Sequence, residues 1–150
     1  MGYTIRALVG SATDLLPFTS AYPQAVCVAL GSGLSLIPLT DDLFDTLMPG
    51  EPSEDFAPFY FLTPQLEARL LHYIGKACIG YLEAEYFGGV GEQAAVLWNE
   101  GHREMVRGPQ YGAINAVLAR LGIQPASSDH DEFDTAGFGQ RRHTEDWLLG

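Results

Sequence analysis

Two strand-like runs, Ala77–Phe87 (ACIGYLEAEYF) and Gln93–Trp98 (QAAVLW), lie almost next to each other and constrain this chain more than any other feature. Gly88, Gly89 and Gly91 stand between them and allow the positive backbone angles that a strand reversal needs. The pair therefore reads as an antiparallel hairpin. Period-two alternation puts Tyr81, Glu83, Glu85 and Phe87 on one face and Leu82, Ala84 and Tyr86 on the other. Large apolar groups on both faces predict a central strand, covered on both sides, so the fold must be a sheet built around this hairpin.

The same glycines also spell Gly89-Val90-Gly91-Glu92-Gln93-Ala94, a match to the dinucleotide pattern G-x-G-x-x-A. That fingerprint needs a following helix, whose N-terminal amides hold the pyrophosphate and which leads back to a parallel strand. Here AAVLW runs straight into the turn signal Asn99-Glu100-Gly101, and Glu92 would set a carboxylate beside the anion. The glycines are read as a turn.

The rest of the chain supplies partners for the hairpin. Tyr3–Val9 reads as a strand, and Ala25–Leu30 and Leu34–Leu39 as two more around Gly31-Ser32-Gly33, the second ending or lying at an edge because Pro38 cannot donate to a ladder. Thr40 caps a helix over DDLFDTLM, with Asp41 and Asp42 in its first turn. Met48–Pro58, with three prolines, reads as a loop. Thr63-Pro64 opens a helix with Leu66, Leu70, Tyr73 and Ile74 on one stripe, stopped by Gly75. Pro109 opens another, with Ile114, Val117, Leu118 and Leu121 in register until Gly122. Strands and helices alternate too irregularly for repeated βαβ units. The expectation is a single α+β domain, 1–150, with a mixed or antiparallel sheet and about three helices packed on it.

Charge narrows the function classes. Nineteen acidic residues against eight basic ones give a net charge of −11, which repels nucleic acid phosphates and anionic membranes and suits a basic protein partner. No apolar run approaches the ~20 residues that span a bilayer. The opening MGYTIRALVG lacks a signal-peptide core, and Arg6 stands where a myristoylation signal after Gly2 wants Ser or Thr. Cys27 and Cys78 fall in apolar runs and read as reduced core thiols. These features point to the cytoplasm.

Glu83 and Glu85 are the residues that carry candidate chemistry. Partly buried on a covered strand, they need a cation, and Arg141-Arg142-His143 is the densest basic cluster, with Trp147 and Leu148 to anchor that tail. The tail is expected to fold over the sheet and bring at least one of the three cations within ion-pair distance of Glu83 or Glu85. The same residues could line a pocket, or Glu83 and Glu85 with His143 could act as general acid and base. No G-x-S-x-G is present, and the spacings around His102, His130 and His143 match no known coordination logic, so neither metal nor cofactor is expected.

The segment IGYLEAEYFGGVGEQAAVLW and the tail HTEDWL resemble small bacterial proteins of unassigned activity, a resemblance that carries over no ligand or catalytic residue. In size and acidity the chain is also similar to bacterial immunity proteins, which bind toxin domains. The leading expectation is a non-catalytic binding protein whose acids meet a basic protein partner. Its binding residues are Glu83, Glu85 and Glu92 of the hairpin, Asp129, Asp131, Glu132 and Asp134 of the later acidic segment, and Arg141, Arg142 and His143 of the tail. The alternative is a small hydrolase or transferase that uses Glu83, Glu85 and His143. A binder should expose aromatics such as Phe59, Tyr60 and Phe133 beside the acids, whereas an enzyme should form a concave pocket at the hairpin.

Overall fold

The computed structural model describes residues 2–30, 33–48, 56–87, 90–109, 112–125, 127–129 and 131–149. Six strands are formed: β1 (Gly2–Gly10), β2 (Val28–Ala29), β3 (Ser35–Pro38), β4 (Ile79–Phe87), β5 (Val90–Asn99) and β6 (His102–Arg107). They make one fully antiparallel sheet in the order β2-β3-β1-β4-β5-β6. Five helices pack on it: α1 (Ala12–Ala21), α2 (Asp41–Leu47), α3 (Pro64–Ile74), α4 (Ala113–Arg120) and α5 (Glu132–Ala136). The architecture is α+β, as the pattern predicts.

β4 and β5 form the expected hairpin, in register from Ile79↔Trp98 to Phe87↔Val90. β5 starts at Val90 with no helix after the glycines, so the dinucleotide reading has no structural basis. Three helices begin where a hydroxyl can accept from an otherwise orphaned amide. Ser11 Oγ takes the Asp14 N–H, Thr40 Oγ1 that of Leu43 and Thr63 Oγ1 that of Leu66.

Alternation sorts the core into two layers. On one face Leu8, Ile37, Ile79, Tyr81, Val96 and Trp98 meet Leu15, Phe18, Leu43, Leu66 and Leu70 from α1, α2 and α3. On the other, Ile5, Val9, Leu82, Ala95 and Leu97 meet Ile114, Val117, Leu118, Phe138 and Trp147 from α4 and the C-terminal segment. β4 is buried on both faces as far as Ala84.

Several details differ from expectation. α1 carries Pro17 inside it, which reads locally as a breaker, so sequence periodicity does not mark the helix. β6 is an exposed edge whose HREMVR sequence has no clean alternation of apolar groups. α4 opens at Ala113 and not at Pro109, because Gly112, at φ 86, breaks helical continuity just before it. Cys27 is exposed and Cys78 only half-buried, since the run Ala25–Leu30 contributes just a two-residue edge strand and leaves Cys27 outside the core. The Met48–Pro58 loop and the Gly31-Ser32-Gly33 turn lie largely outside the described residues, as do Gly88 and Gly89 of the reversal.

The C-terminal tail completes the sheet. β3 pairs only with Ala7–Gly10, which leaves the first half of β1 without a strand on that side. The tail runs along it: the Thr4 N–H donates to the Arg142 carbonyl (2.7 Å) and the Arg6 N–H to Thr144 Oγ1 (3.1 Å). Trp147 is buried beside Phe138, whereas Leu148 is exposed, so of the two apolar residues expected to anchor the tail only the tryptophan is buried.

Candidate functional site

On the α1–α3 side, the helices end at Tyr81, and beyond it the sheet face is treated differently at each successive residue. Glu83 is buried, at 4% exposure. Its carboxylate accepts four hydrogen bonds: the Tyr60 N–H on Oε1 (2.8 Å), and the Phe61 N–H (3.0 Å), the Leu62 N–H (2.8 Å) and the Tyr81 hydroxyl (2.6 Å) on Oε2. Burial, and then the neighbouring Glu83 charge, push the Tyr81 hydroxyl well above its ordinary pKa, so it remains a donor.

This corrects the expected ion pair. Among the described residues no ion pair joins Arg142 or His143 to Glu83 or Glu85; Arg142 offers its carbonyl, and His143 Nδ1 meets Thr4 Oγ1 at 3.0 Å. Backbone amides do the compensating, which is how a buried carboxylate without a salt bridge is kept. Arg6, directly across from Glu83 in the β1–β4 register, pairs instead with Asp41 and stacks over Phe61 (4.3 Å) and Phe44 (5.5 Å). With its donors supplied by the fold, Glu83 anchors the turn that closes over it.

The anchor holds the turn 60–62 and so presents Tyr60, which is 74% exposed and donates its hydroxyl to Glu92 Oε2 (3.2 Å). Glu85 and Glu92 face each other across β4 and β5, both exposed. Beyond them Phe87 and Val90 form the next cross-strand pair, at 79% and 78% exposure. Among the described residues, the ion pairs of Arg6, Arg103 and Arg120 go to Asp41, Glu67 and Glu104, not to Glu85 or Glu92. Like charges directly opposite on adjacent strands disfavour the sheet. The Tyr60 hydroxyl is raised in pKa, first by its hydrogen bond to Glu92 and then by the charges of Glu92 and Glu85.

Tyr60, Glu85, Phe87, Val90, Gly91 and Glu92 line an open hollow of about 480 Å³. The slot beneath Tyr60, floored by Glu83, Ala84 and Ala94, leaves about 10 Å³ for water-sized centres, enough for roughly one water. The site is therefore an open, acidic and aromatic surface, not a deep pocket. A second cleft, lined by Thr4, Arg6, Asp41, Phe61, Glu85, Thr144 and Glu145, lies on the far side of Glu85.

The other acids form a separate group. Asp129, Asp131, Glu132 and Asp134 sit around α5, which packs through Phe133 and Ala136 on the opposite face of the sheet. Asp131 Oδ1 caps α5 by accepting the Asp134 N–H (2.9 Å), and its Oδ2 accepts from Asn115 (2.9 Å). Partial burial raises its pKa, but these hydrogen bonds outweigh that and leave the carboxyl below its ordinary value. Asp131→Ala is accordingly expected to cost about 1 kcal/mol by urea denaturation. Because the folded pKa is depressed, the cap's contribution is present above the unfolded value of about 3.9 and fades as pH falls through the folded one. An Asp131→Ala protein as stable as the parent at neutral pH would remove the cap from this account. Of the named aromatics, Tyr60 is exposed, Phe133 half-buried and Phe59 buried. The exposed Phe87 and Val90 were not singled out in the sequence, although the hairpin register alone places them at its tip.

Among the described residues, no group of three or more His, Cys, Asp or Glu side chains is arranged to hold a metal ion, and no helix is long and apolar enough to cross a membrane. Comparison with known proteins finds no match: no protein-family model, no curated protein and no solved structure is similar to this chain.

Proposed function

We propose that this is a cytoplasmic, non-catalytic binding protein whose acidic sheet end meets a basic protein partner, in the manner of an immunity protein. The observation that carries the reading is the facing pair Glu85 and Glu92, outside the ion pairs that Arg6, Arg103 and Arg120 make among the described residues and bordered by exposed Tyr60, Phe87 and Val90. A surface that tolerates like-charge repulsion and exposes large apolar side chains is costly for a free monomer and useful in an interface. The net charge of −11 would steer a cationic protein toward it.

The alternative is a small hydrolase or transferase that uses Glu83, Glu85 and His143, of which Glu83 is buried with its acceptors already engaged and Glu85 and His143 stand at the surface. The latter two share Thr4 as neighbour, through strand register and through a hydrogen bond respectively. Glu85 lines the open hollow and the second cleft.

The test is association with a basic partner recovered from the native host. Its on-rate should fall steeply between low and moderate salt, and Glu85→Gln with Glu92→Gln should weaken binding by about tenfold or more, while Asp129→Asn with Glu132→Gln changes it little. Binding that ignores both salt and the Glu85/Glu92 pair would end this reading.

A further inference from the structure

Of the four aromatic rings in the segment 56–61, Phe59 is buried against Tyr81, and the other three each belong to a set that includes a carboxylate. Phe56 lies under the Arg103 guanidinium (4.2 Å), which forks onto Glu67 through Nε (2.7 Å) and Nη2 (2.8 Å). Phe61 lies under Arg6 (4.3 Å), which pairs with Asp41. Tyr60 stands beside Glu92, bonded to it, and Glu85, and among the described residues the guanidiniums laid on rings, those of Arg6 and Arg103, lie over Phe44, Phe61 and Phe56 and not over Tyr60. The chain thus uses the same ring–guanidinium–carboxylate arrangement twice internally, and its third ring–carboxylate set is the one turned to solvent.

We propose that the anchor of the partner is an arginine, its guanidinium laid on the Tyr60 ring and forked between Glu85 and Glu92, its neighbours packed on Phe87 and Val90. This rests on the reading of the surface as a basic-partner interface and adds which side chain it selects. Arginine fits better than lysine on three counts. The planar fork can meet two carboxylates at once, the delocalised cation stacks on an aromatic face, and guanidinium is less costly than ammonium to strip of water. The open hollow of about 480 Å³ gives a side chain room to enter alongside Tyr60. Charge complementarity argues for a protein cation and against an acidic or phosphate-bearing ligand.

The experiment uses three labelled peptides, identical but for a central arginine, lysine or citrulline, each with leucine on both sides. They are titrated into the full chain and followed by backbone amide shifts. The arginine peptide should bind roughly three- to tenfold tighter than the lysine peptide, and citrulline should not bind measurably. Shifts should concentrate at 60–62, 85–87 and 90–92. Tyr60→Leu should erase the preference for arginine over lysine, whereas Tyr60→Phe should keep it, since the ring and not the hydroxyl carries the stacking. Equal affinity for arginine and lysine, or shifts centred on the α5 acids, would overturn the arginine anchor. If the anchor fails in this way while the native partner still depends on salt and on Glu85 and Glu92, the interface reading stands without it. If the partner is indifferent to those residues, both fall.

Discussion

Glu83→Ala is expected to destabilise the protein by about 3–5 kcal/mol, measured by chemical denaturation. The loss arises because three backbone amides and the Tyr81 hydroxyl surrender a common acceptor, not because a salt bridge breaks. Each orphaned buried donor costs on the order of 1–3 kcal/mol, discounted here because Tyr60 and Phe61 are near enough to solvent for water to help. Glu83→Gln should cost less, about 1–3 kcal/mol, since one oxygen remains while its amide group faces the donor that the other oxygen served. Tyr81→Phe should cost roughly 1 kcal/mol through the same network. Hydrogen exchange separates this anchor from a merely bulky core residue: in Glu83→Ala the amides of residues 60–62 should exchange much faster than those of β5. If those amides keep their protection and stability falls by less than about 1 kcal/mol, other contacts hold the turn. Because the turn presents Tyr60, Glu83→Gln should also weaken partner binding although Glu83 itself is buried.

The second large effect is expected at Gly91. A Cβ at this position would lie 1.9 Å from the Glu85 carbonyl oxygen and 2.6 Å from Tyr86 Cα. Both obstacles belong to the backbone of β4, so no side chain can swing aside. Gly91→Ala should therefore part the strands at the hairpin's end and cost roughly 2–4 kcal/mol, while exposed Val90→Ala stays within about 0.5 kcal/mol. Partner binding should fall with Gly91→Ala, since Glu92 and Val90 leave their places opposite Glu85 and Phe87. Cross-strand amide contacts between Tyr86 and Gly91 provide the direct measurement. A Gly91→Ala protein with the parent's stability and the same contacts would show that the close approach is not what the glycine serves. Gly91 of the pattern that matches a nucleotide loop is thereby explained by strand proximity.

Legibility in the sequence followed the range of the interactions involved. The hairpin, the Thr40 and Thr63 caps and the stripe of α3 depend on residues a few positions apart, so they were readable. α1 escaped because Pro17 gives a local stop signal that packing of Leu15 and Phe18 overrides. Cys27 was misplaced because an apolar run does not reveal whether its strand is central or at the edge. Within the site, alternation placed Glu83 and Glu85 on one face, and pairing with β5 brought Glu92 to the same face. It could not distinguish buried from exposed. That distinction comes from the turn 60–62, more than twenty residues away in sequence, closing over Glu83 and stopping short of Glu85.

By itself the sequence determined the α+β class, the hairpin at the centre of the sheet, the excess of negative charge and the identity of the acids on one strand face. These follow from side-chain period, turn chemistry and composition, which are local or global sums. Tertiary structure alone decided what each acid does. The tail docks along β1 through backbone bonds and Trp147, and Glu83 is satisfied by three amides and the Tyr81 hydroxyl. α5 carries its acids to the opposite face, which splits one expected acidic site into two. The pairing of β4 with β5 sets Glu85 against Glu92 beside Tyr60, a juxtaposition that depends on strand register and on where the covering turn ends. Long-range contacts of that kind leave no periodic trace in the chain, because the partner that buries a charge can come from any other segment.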